Sequence, residues 1–418
     1  MPQANPAHES LATRCCIVGG GPAGMVCGFL LARAGIDVVV LEKHADFLRD
    51  FRGDTIHPST LELMYELGIL EDFLRRPHQE LSHIGAQIDD FALAVADFSH
   101  LPTHCKFVGL MPQWDFLNFI VEKAKAYPGF HLRMETEVTD LLVENNNVVG
   151  VRAESPRGAL ELRADLTIGA DGRRSIVREK AGFEVLDLGA PIDVLWMRVS
   201  HAPGDPTQTL GRFRAGKILV TIDRGEYWQC AYVIAKGALD ALRQKGLANF
   251  REEIASLAPF LRERLDELKD WKDVKLLSVA VDRLRQWSRT GLLCIGDSAH
   301  AMSPIGGVGI NLAIQDAVAA ANILAEPLAK GAVTNERVRE VQRRREFPTR
   351  MTQGFQVFAQ KRFLGPALRN ARPIIRLPFV LKLLQAFPIL RRIPARLIGL
   401  GVRPEHVHTP DVKQQAAH

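Results

Sequence analysis

Cys15-Cys16-Ile17-Val18-Gly19-Gly20-Gly21-Pro22-Ala23-Gly24 decides the fold of this chain. An apolar strand, Cys15 to Val18, runs into glycines, and an apolar stretch from Pro22 to Ala34 reads as a helix. In the spacing Gly19-x-Gly21-x-x-Gly24 each glycine has its own task. Gly19 allows a tight turn, Gly21 lets a pyrophosphate approach the backbone, and Gly24 lets the helix pack closely on the strand. Gly35 stands where a helix C-terminal cap belongs. A second buried strand, Asp37 to Leu41, ends at Glu42, at the offset where an acidic residue accepts hydrogen bonds from ribose hydroxyls. This order predicts a βαβ unit that binds a dinucleotide, with Gly19, Gly21, Pro22, Ala23, Gly24, Glu42 and the adjacent Lys43 at the ligand.

A second glycine-rich segment lies far downstream. It runs from Gly291 through Gly296-Asp297-Ser298-Ala299-His300 to Pro304-Ile305-Gly306-Gly307-Val308-Gly309-Ile310-Asn311. It too reads as a buried strand turning into a helix N-terminus, whose free N–H groups favour an anionic or electron-rich ligand. Two such turns facing one another would grip both ends of one long cofactor, which points to a flavin dinucleotide rather than a nicotinamide. Reduced flavin carries negative charge near N1 and O2, and a helix beginning at Gly307 to Gly309 would stabilise it. On its own Asp297 reads as a simple N-cap, a role that leaves it free for a ligand as well.

The bulk properties narrow the class. At 418 residues the chain exceeds one ordinary core, so two domains with a terminal appendage are expected. A hydrophobic content of 47% with 24% charged residues fits a soluble globular protein. No uninterrupted apolar run approaches the roughly 20 residues that span a bilayer, and residues 1–13 carry no signal-peptide core. The six cysteines show no metal or CxxC spacing and read as buried reduced thiols in a cytoplasmic protein. No metal site is expected.

The elements after Glu42 are expected as a helix over 58–75, β-type alternation over 80–110, a helix over 113–126 and short strands to 164. Asn145-Asn146-Asn147 makes a hairpin of the middle pair. Leu166 to Gly172 is again a strand entering a turn, with a helix from Ser175. Strands around 194–200, 218–222 and 228–234 accompany one amphipathic helical stretch, 239–268. The fold class is therefore α/β. Residues 1–13 are expected as a flexible N-terminus, 14–79, 105–184 and 286–335 as a Rossmann-like nucleotide domain, and 80–104 with 185–285 as an inserted β-sheet substrate domain. Residues 336–418 are expected as a helical basic C-terminal region.

Three motifs together resemble the FAD-dependent aromatic hydroxylases of the para-hydroxybenzoate hydroxylase type. They are Gly19 to Gly24, then Gly169-Ala170-Asp171-Gly172 with Ser175 and Arg178, then Gly296 to Asn311 closing on Asp316-Ala317. The resemblance covers about residues 14–325. It implies a Rossmann-like FAD-binding domain in which Asp297 holds the ribityl chain and the backbone from Pro304 through Gly307, Val308, Gly309, Ile310 and Asn311 meets the flavin. Arg52 and Gln113 match cofactor-touching positions, and Asp171 belongs to a motif linked to FAD and to transient NAD(P)H. The chain departs from the family in having Ser303-Pro304 where Pro-Pro is frequent, and Val308 where glutamine is frequent. Neither change removes a backbone donor.

The resemblance implies a monooxygenase using NAD(P)H and O₂ to hydroxylate a small phenol or quinol-like aromatic substrate through a flavin C4a-hydroperoxide. A single dinucleotide fingerprint disfavours enzymes with a separate NADPH domain, and the Trp-x-Trp-x-Ile-Pro motif of flavin halogenases is absent. A flavin-dependent reductase of an isoprenoid or quinone remains the alternative, with a non-enzymatic flavoprotein behind it. No catalytic base is assigned. His57, His83, His104, Tyr227 and Tyr232 lie near the expected pocket but read more readily as packed or surface residues, and His300 reads as structural or near the flavin rather than as an acid–base residue.

The charge distribution adds one feature. From Phe347 to Pro404 there are eleven Lys or Arg and no Asp or Glu, within a net charge of +5 for the whole chain. Within it, prolines cut residues 363–402 into short amphipathic helices. It fits a lid packing its apolar face on the acidic remainder, a homodimer contact, or a peripheral contact with an anionic membrane. It lacks the interleaved aromatic residues of a nucleic-acid reader.

Overall fold

The buried apolar runs read above become adjacent parallel strands in the computed structural model, which describes residues 9–48, 55–206, 209–369 and 379–415. Strand β1 (Glu9–Val18) lies between β2 (Val38–Leu41) and β3 (Gly158–Gly169), and β3 is flanked in turn by β4 (Leu292–Cys294). All three pairings are parallel. Strand 130–133 extends the sheet beyond β2, and strand 288–289 closes the edge beyond β4. Cys15 to Val18 and Val38 to Leu41 are buried, as a parallel sheet covered on both faces requires.

Helix α1 (Pro22–Arg33) is buried along nearly its whole surface. It packs beside α2 (Val308–Ala329), the helix that opens from the downstream glycines. The stretch Ile305–Ala329 is long and apolar enough to cross a bilayer, but most of it is interior to the fold, so it is a core helix.

A second, seven-stranded sheet runs in the order 275–277, 192–200, 227–235, 217–223, 210–214, 83–88, 91–97. Alternation along 192–200 splits its two faces. Leu195, Met197 and Val199 join Trp228, Cys230 and Tyr232 under helix 247–257, while Ile192 and Val194 join Ala231 and Val233 on the other face.

Several expectations are corrected. Residues 9–13 are ordered strand rather than flexible terminus, because Glu9–Thr13 pairs in register with Leu160–Ala164; residues 1–8 lie outside the described residues. The helix expected over 58–75 breaks into 58–66 and 70–74 around Gly68, whose φ is +70°. The stretch 239–268 breaks likewise at Gly246 (φ +88°) and passes into a 3₁₀ segment at Pro259. The turn at 145–147 forms as read, with Asn145 and Asn146 both left-handed.

Helix α3 (Asn335–Ala359) begins at the cap residue Thr334, whose hydroxyl accepts the Arg337 N–H. Its second half is amphipathic in the reverse of the usual sense. It buries Arg345, Thr349, Gln353 and Gln356, and it exposes Phe347, Met351 and Phe355. This half of α3 turns no apolar stripe inward, whereas the basic tail beyond it packs Leu364, Ala367 and Leu368 on the second sheet and Ala395, Ile398 and Leu400 beside Phe98 and Leu101. The buried amides of α3 hold the downstream motif instead. Gln353 Nε2 donates to the carbonyls of Asp282 and Ala301, and Gln356 Nε2 to those of Ser303 and Ile305.

Candidate active site

The three motifs leave the carboxyl ends of three neighbouring parallel strands. Val18 pairs with Gly169, and Gly169 pairs with Cys294, so the chain turns away at one level in all three. Ligands of open α/β sheets bind at such an edge.

In the first turn the glycines divide by what they face. A Cβ on Gly19 (φ +104°) would lie 2.5 Å from the Ala170 carbonyl oxygen, and one on Gly24 would lie 2.0 Å from the Gly19 oxygen. Those two serve the protein's own packing. Gly21 caps α1 with an ordinary φ of −75°, and a Cβ there would meet nothing within 4 Å. Nothing inside the protein demands glycine at 21, so the open space above it fits a bound pyrophosphate. Pro22 and Ala23 form the first turn of α1. The Glu42 carboxylate is buried beside the loop, where it accepts the Gly20 N–H at 2.9 Å and the His44 N–H at 3.1 Å.

The second and third motifs close on the first. Ser298 Oγ donates to the Gly169 carbonyl at 2.6 Å. A Cβ on Gly296 would press on Ala23 (3.0 Å) and Ala313 (3.2 Å), so this glycine lets α1 and α2 meet over the strand ends. Arg173 Nε donates to Asp297 Oδ2 at 3.3 Å, and Asp297 keeps about a third of its side chain exposed to the cleft. The Asp171 carboxyl is raised by burial, against hydrogen bonds from Ser175 and the Val177 N–H. Its Oδ1 is buried and has no partner among the described residues. An orphaned carboxylate oxygen at this edge fits a ligand hydroxyl.

At the other end, Pro304 leads a 3₁₀ turn, Ile305–Gly307, in which Gly306 (φ +75°) and Gly307 (φ +63°) are left-handed. Gly307 N-caps α2, followed by half-buried Val308 and Gly309 and by buried Ile310. Thr55 Oγ1 donates to the Gly307 carbonyl at 2.9 Å. The Asn311 side chain is spent on the protein. Its Oδ1 accepts the His57 N–H (2.9 Å) and the Thr60 hydroxyl (2.7 Å), and its Nδ2 donates to the Thr55 carbonyl (3.1 Å). It ties segment 55–60 to the start of α2.

Other expected residues lie less centrally. Lys43 is exposed, with Nζ 3.8 Å from Glu137. Gln113 begins helix 113–124 and is half-buried. Arg52 lies outside the described residues. Of the base candidates, His83 and His104 are exposed beside Asp97 and Glu62, and Tyr227 lies under the Arg198 guanidinium. Tyr232 is buried, its hydroxyl donating to Glu253 at 2.6 Å. His57 is buried, and desolvation pushes its pKa down to about 4, against a raising hydrogen bond to the Ile398 carbonyl (2.7 Å). A carbonyl only accepts, so Nδ1 carries the proton and Nε2 is left as an acceptor.

Sequence reading missed the charge cluster behind the third motif. Asp316 Oδ2 accepts the Gly296 N–H at 3.0 Å and faces His300 Nε2 at 2.5 Å, while Oδ1 accepts from Arg345 Nε at 2.9 Å. Arg345 in turn meets Glu405 at 3.1 Å. Burial alone would raise the Asp316 carboxyl, but His300 and Arg345 together hold it below the usual carboxylate range. Asp316-Ala317 was visible as the motif's end; its partner Arg345 was hidden in a run of surface arginines. A surface cavity of about 420 Å³, lined by Thr13, Arg163 and Asp165, sits five residues back along β1 from the strand ends and is separate from this edge.

Known proteins resemble this chain in sequence and in fold. Residues 12–354 match the family model described as FAD binding domain. The chain is 35% identical over 371 residues to a 6-methylpretetramide 4-monooxygenase of Streptomyces rimosus, covering 87% of this chain and 86% of that one. It is 25% identical over 333 residues to a para-nitrophenol 4-monooxygenase of a Pseudomonas species, covering 76% and 79%. The crystal structure of a p-nitrophenol 4-monooxygenase from Pseudomonas putida superposes with a TM-score of 0.74 at 20% identity, covering 94% of each chain, and so shares the fold.

Proposed function

The chain belongs to the FAD-binding-domain family and is an FAD-dependent aromatic monooxygenase that uses NAD(P)H; on that premise we propose how its residues hold the cofactor and which substrates it takes. The observation that carries the assignment is Gly21, a glycine at the strand-end cleft that no intramolecular contact requires. The pyrophosphate of FAD takes the space over Gly21 and the first turn of α1, with Pro22 and Ala23 below it. Glu42 accepts from the adenosine ribose, with Lys43 at the rim. Asp171 and Asp297 face the ribityl side, and Gln113 completes the cleft. The N-terminus of α2, from Pro304 through Gly309, meets the flavin ring.

When bound, FAD supplies reductive activation of O₂ and oxygen transfer. The chain's own residues position and shield. The free N–H groups at the start of α2 stabilise negative charge at the ring edge, and Asn311 fixes segment 55–60 over that helix start. Arg173 orients Asp297. The reductase alternative is not favoured by the relatives, which are named as monooxygenases.

The substrate is a phenolic aromatic compound, and 6-methylpretetramide, named for the 35%-identical relative, is the first candidate. The test uses FAD-reconstituted protein with NADH or NADPH, isotopically heavy O₂ and a panel of phenols. We expect substrate-stimulated NAD(P)H oxidation and one heavy oxygen in the product. Failure to take up FAD, or reduction of a substrate double bond without O₂ consumption, would overturn the reading.

A further inference from the structure

Helices α4 (Phe379–Ala386) and α5 (Arg392–Gly399) cap the edge strand 91–97 of the second sheet. Helix α5 is fastened by its small residues. Ala395 and Gly399, one turn apart, are buried, and a Cβ on Gly399 would come within 2.7 Å of Leu101. The Ile398 carbonyl holds the buried ring of His57. With that face anchored, the other points outward and alternates Arg392 and Arg396 with Ile393 and Leu397. Phe379 is 73% exposed and Ile389 63%, and Val380, Phe387, Ile393 and Leu397 are exposed with them. With the outward stripe of α3, this region holds ten of the fifteen large apolar side chains that are exposed among the described residues. Exposed apolar side chains rimmed by polar ones mark interaction or membrane surfaces.

The charges among these side chains choose the occupant. Residues 379–403 contain Lys382, Arg391, Arg392, Arg396 and Arg403 and no Asp or Glu. Among the described residues no carboxylate pairs with Lys382, Arg392 or Arg396. Arg391 turns back to the Leu384 and Gln385 carbonyls. A self-complementary contact with a second copy would bring these cations together unneutralised. An apolar face rimmed by cations matches the acyl boundary and headgroups of an anionic bilayer. We propose that α4 and α5 form a docking surface for an anionic membrane, with Phe387, Ile389 and Ile393 entering the interface and Arg392 and Arg396 facing the headgroups. The proposal is independent of the substrate assignment.

The test is flotation of the full-length, FAD-loaded protein with vesicles of phosphatidylcholine alone or mixed with phosphatidylglycerol, at low and high salt. We expect co-flotation with the mixed vesicles only, reversed by salt. The double variant Arg392→Glu/Arg396→Glu should lower partitioning at least tenfold, since each cation is worth about fivefold. Phe387→Ser/Ile389→Ser should also lower it, and both variants should keep the wild-type melting curve because the four side chains are outward. The proposal fails if the wild type floats with neither vesicle, or if it floats equally with both and ignores the charge reversal. It fails as well if sedimentation shows a dimer that Phe387→Ser/Ile389→Ser dissociates, since a second copy would then cover the face.

Discussion

Arg345 Nε donates to Asp316 Oδ1 at 2.9 Å, and neither side chain is more than 1% exposed. The pair joins α3 to α2 directly behind the Gly296 turn, so the basic C-terminal region braces the cofactor edge from within. Removing one member leaves a buried charge unpaired, which costs about 3–5 kcal/mol. Arg345→Met should lower unfolding stability by that order in urea titration. A loss below about 1 kcal/mol would show that His300 and Gly296 suffice for Asp316. The depressed Asp316 pKa also sets an acid limit. The unfolded carboxyl takes up its proton first, near the ordinary value of about 3.9, so the stabilisation is complete above that pH and disappears as pH falls through the lower native value.

Gly21 and Gly24 should respond oppositely to one added methyl. Gly21→Ala meets no protein atom and should cost about 1 kcal/mol or less as an N-cap change, yet it should cut FAD retention at least tenfold. Gly24→Ala forces a Cβ to within 2.0 Å of a carbonyl oxygen and should prevent folding. The ratio of flavin to protein absorbance, with melting of the apoprotein, separates the two.

His57 predicts a second pH dependence, at milder acidity. Its native pKa of about 4 lies below the roughly 6.5 of a free histidine. The unfolded chain therefore binds a proton first as pH drops, and stability should fall between about pH 6.5 and 4 by up to roughly 3 kcal/mol. His57→Asn keeps a donor toward Ile398 without the titration, so its stability curve should be flatter over that window. An unchanged slope would assign the titration elsewhere.

All six cysteines are buried and free. Burial raises their thiols, with Cys27 and Cys230 pushed up to about 12 and Cys105 to about 11. A thiol reagent should label essentially none in the native protein and all six in guanidinium. Fast native labelling at any of them would place a reactive thiolate where the packing shows none.

The glycine turns were legible because their demands are local. A left-handed φ at Gly19, Gly306 or Gly307 and a close approach at Gly24 follow from residue type and spacing. The breaks at Gly68 and Gly246 left the same signal in the sequence, and the periodic apolar residues around them masked it. Strand 210–214 forms a hairpin with 217–223 through left-handed Ala215 and Gly216, and it was missed because Gly211, Arg212 and Arg214 break the apolar alternation that marks a strand. The inversion of α3 was illegible for a deeper reason. Helical periodicity separates two faces without saying which is inside. Gln353 and Gln356 are interior only because the carbonyls at 282 and 301–305 arrive there unpaired.

The contact of Gly296 with Ala23 has a consequence for synthesis in the cell. At about 5–20 residues per second, residue 296 follows residue 23 from the ribosome by roughly a quarter of a minute to a minute. Throughout that interval the first turn exists without the segment that completes it, and β3, once made, waits for β4 with an open edge at Thr167–Gly169. A chain that ends before Leu292 lacks both the strand that pairs with Thr167–Gly169 and the glycine that meets Ala23, so truncation there should leave no flavin-binding product.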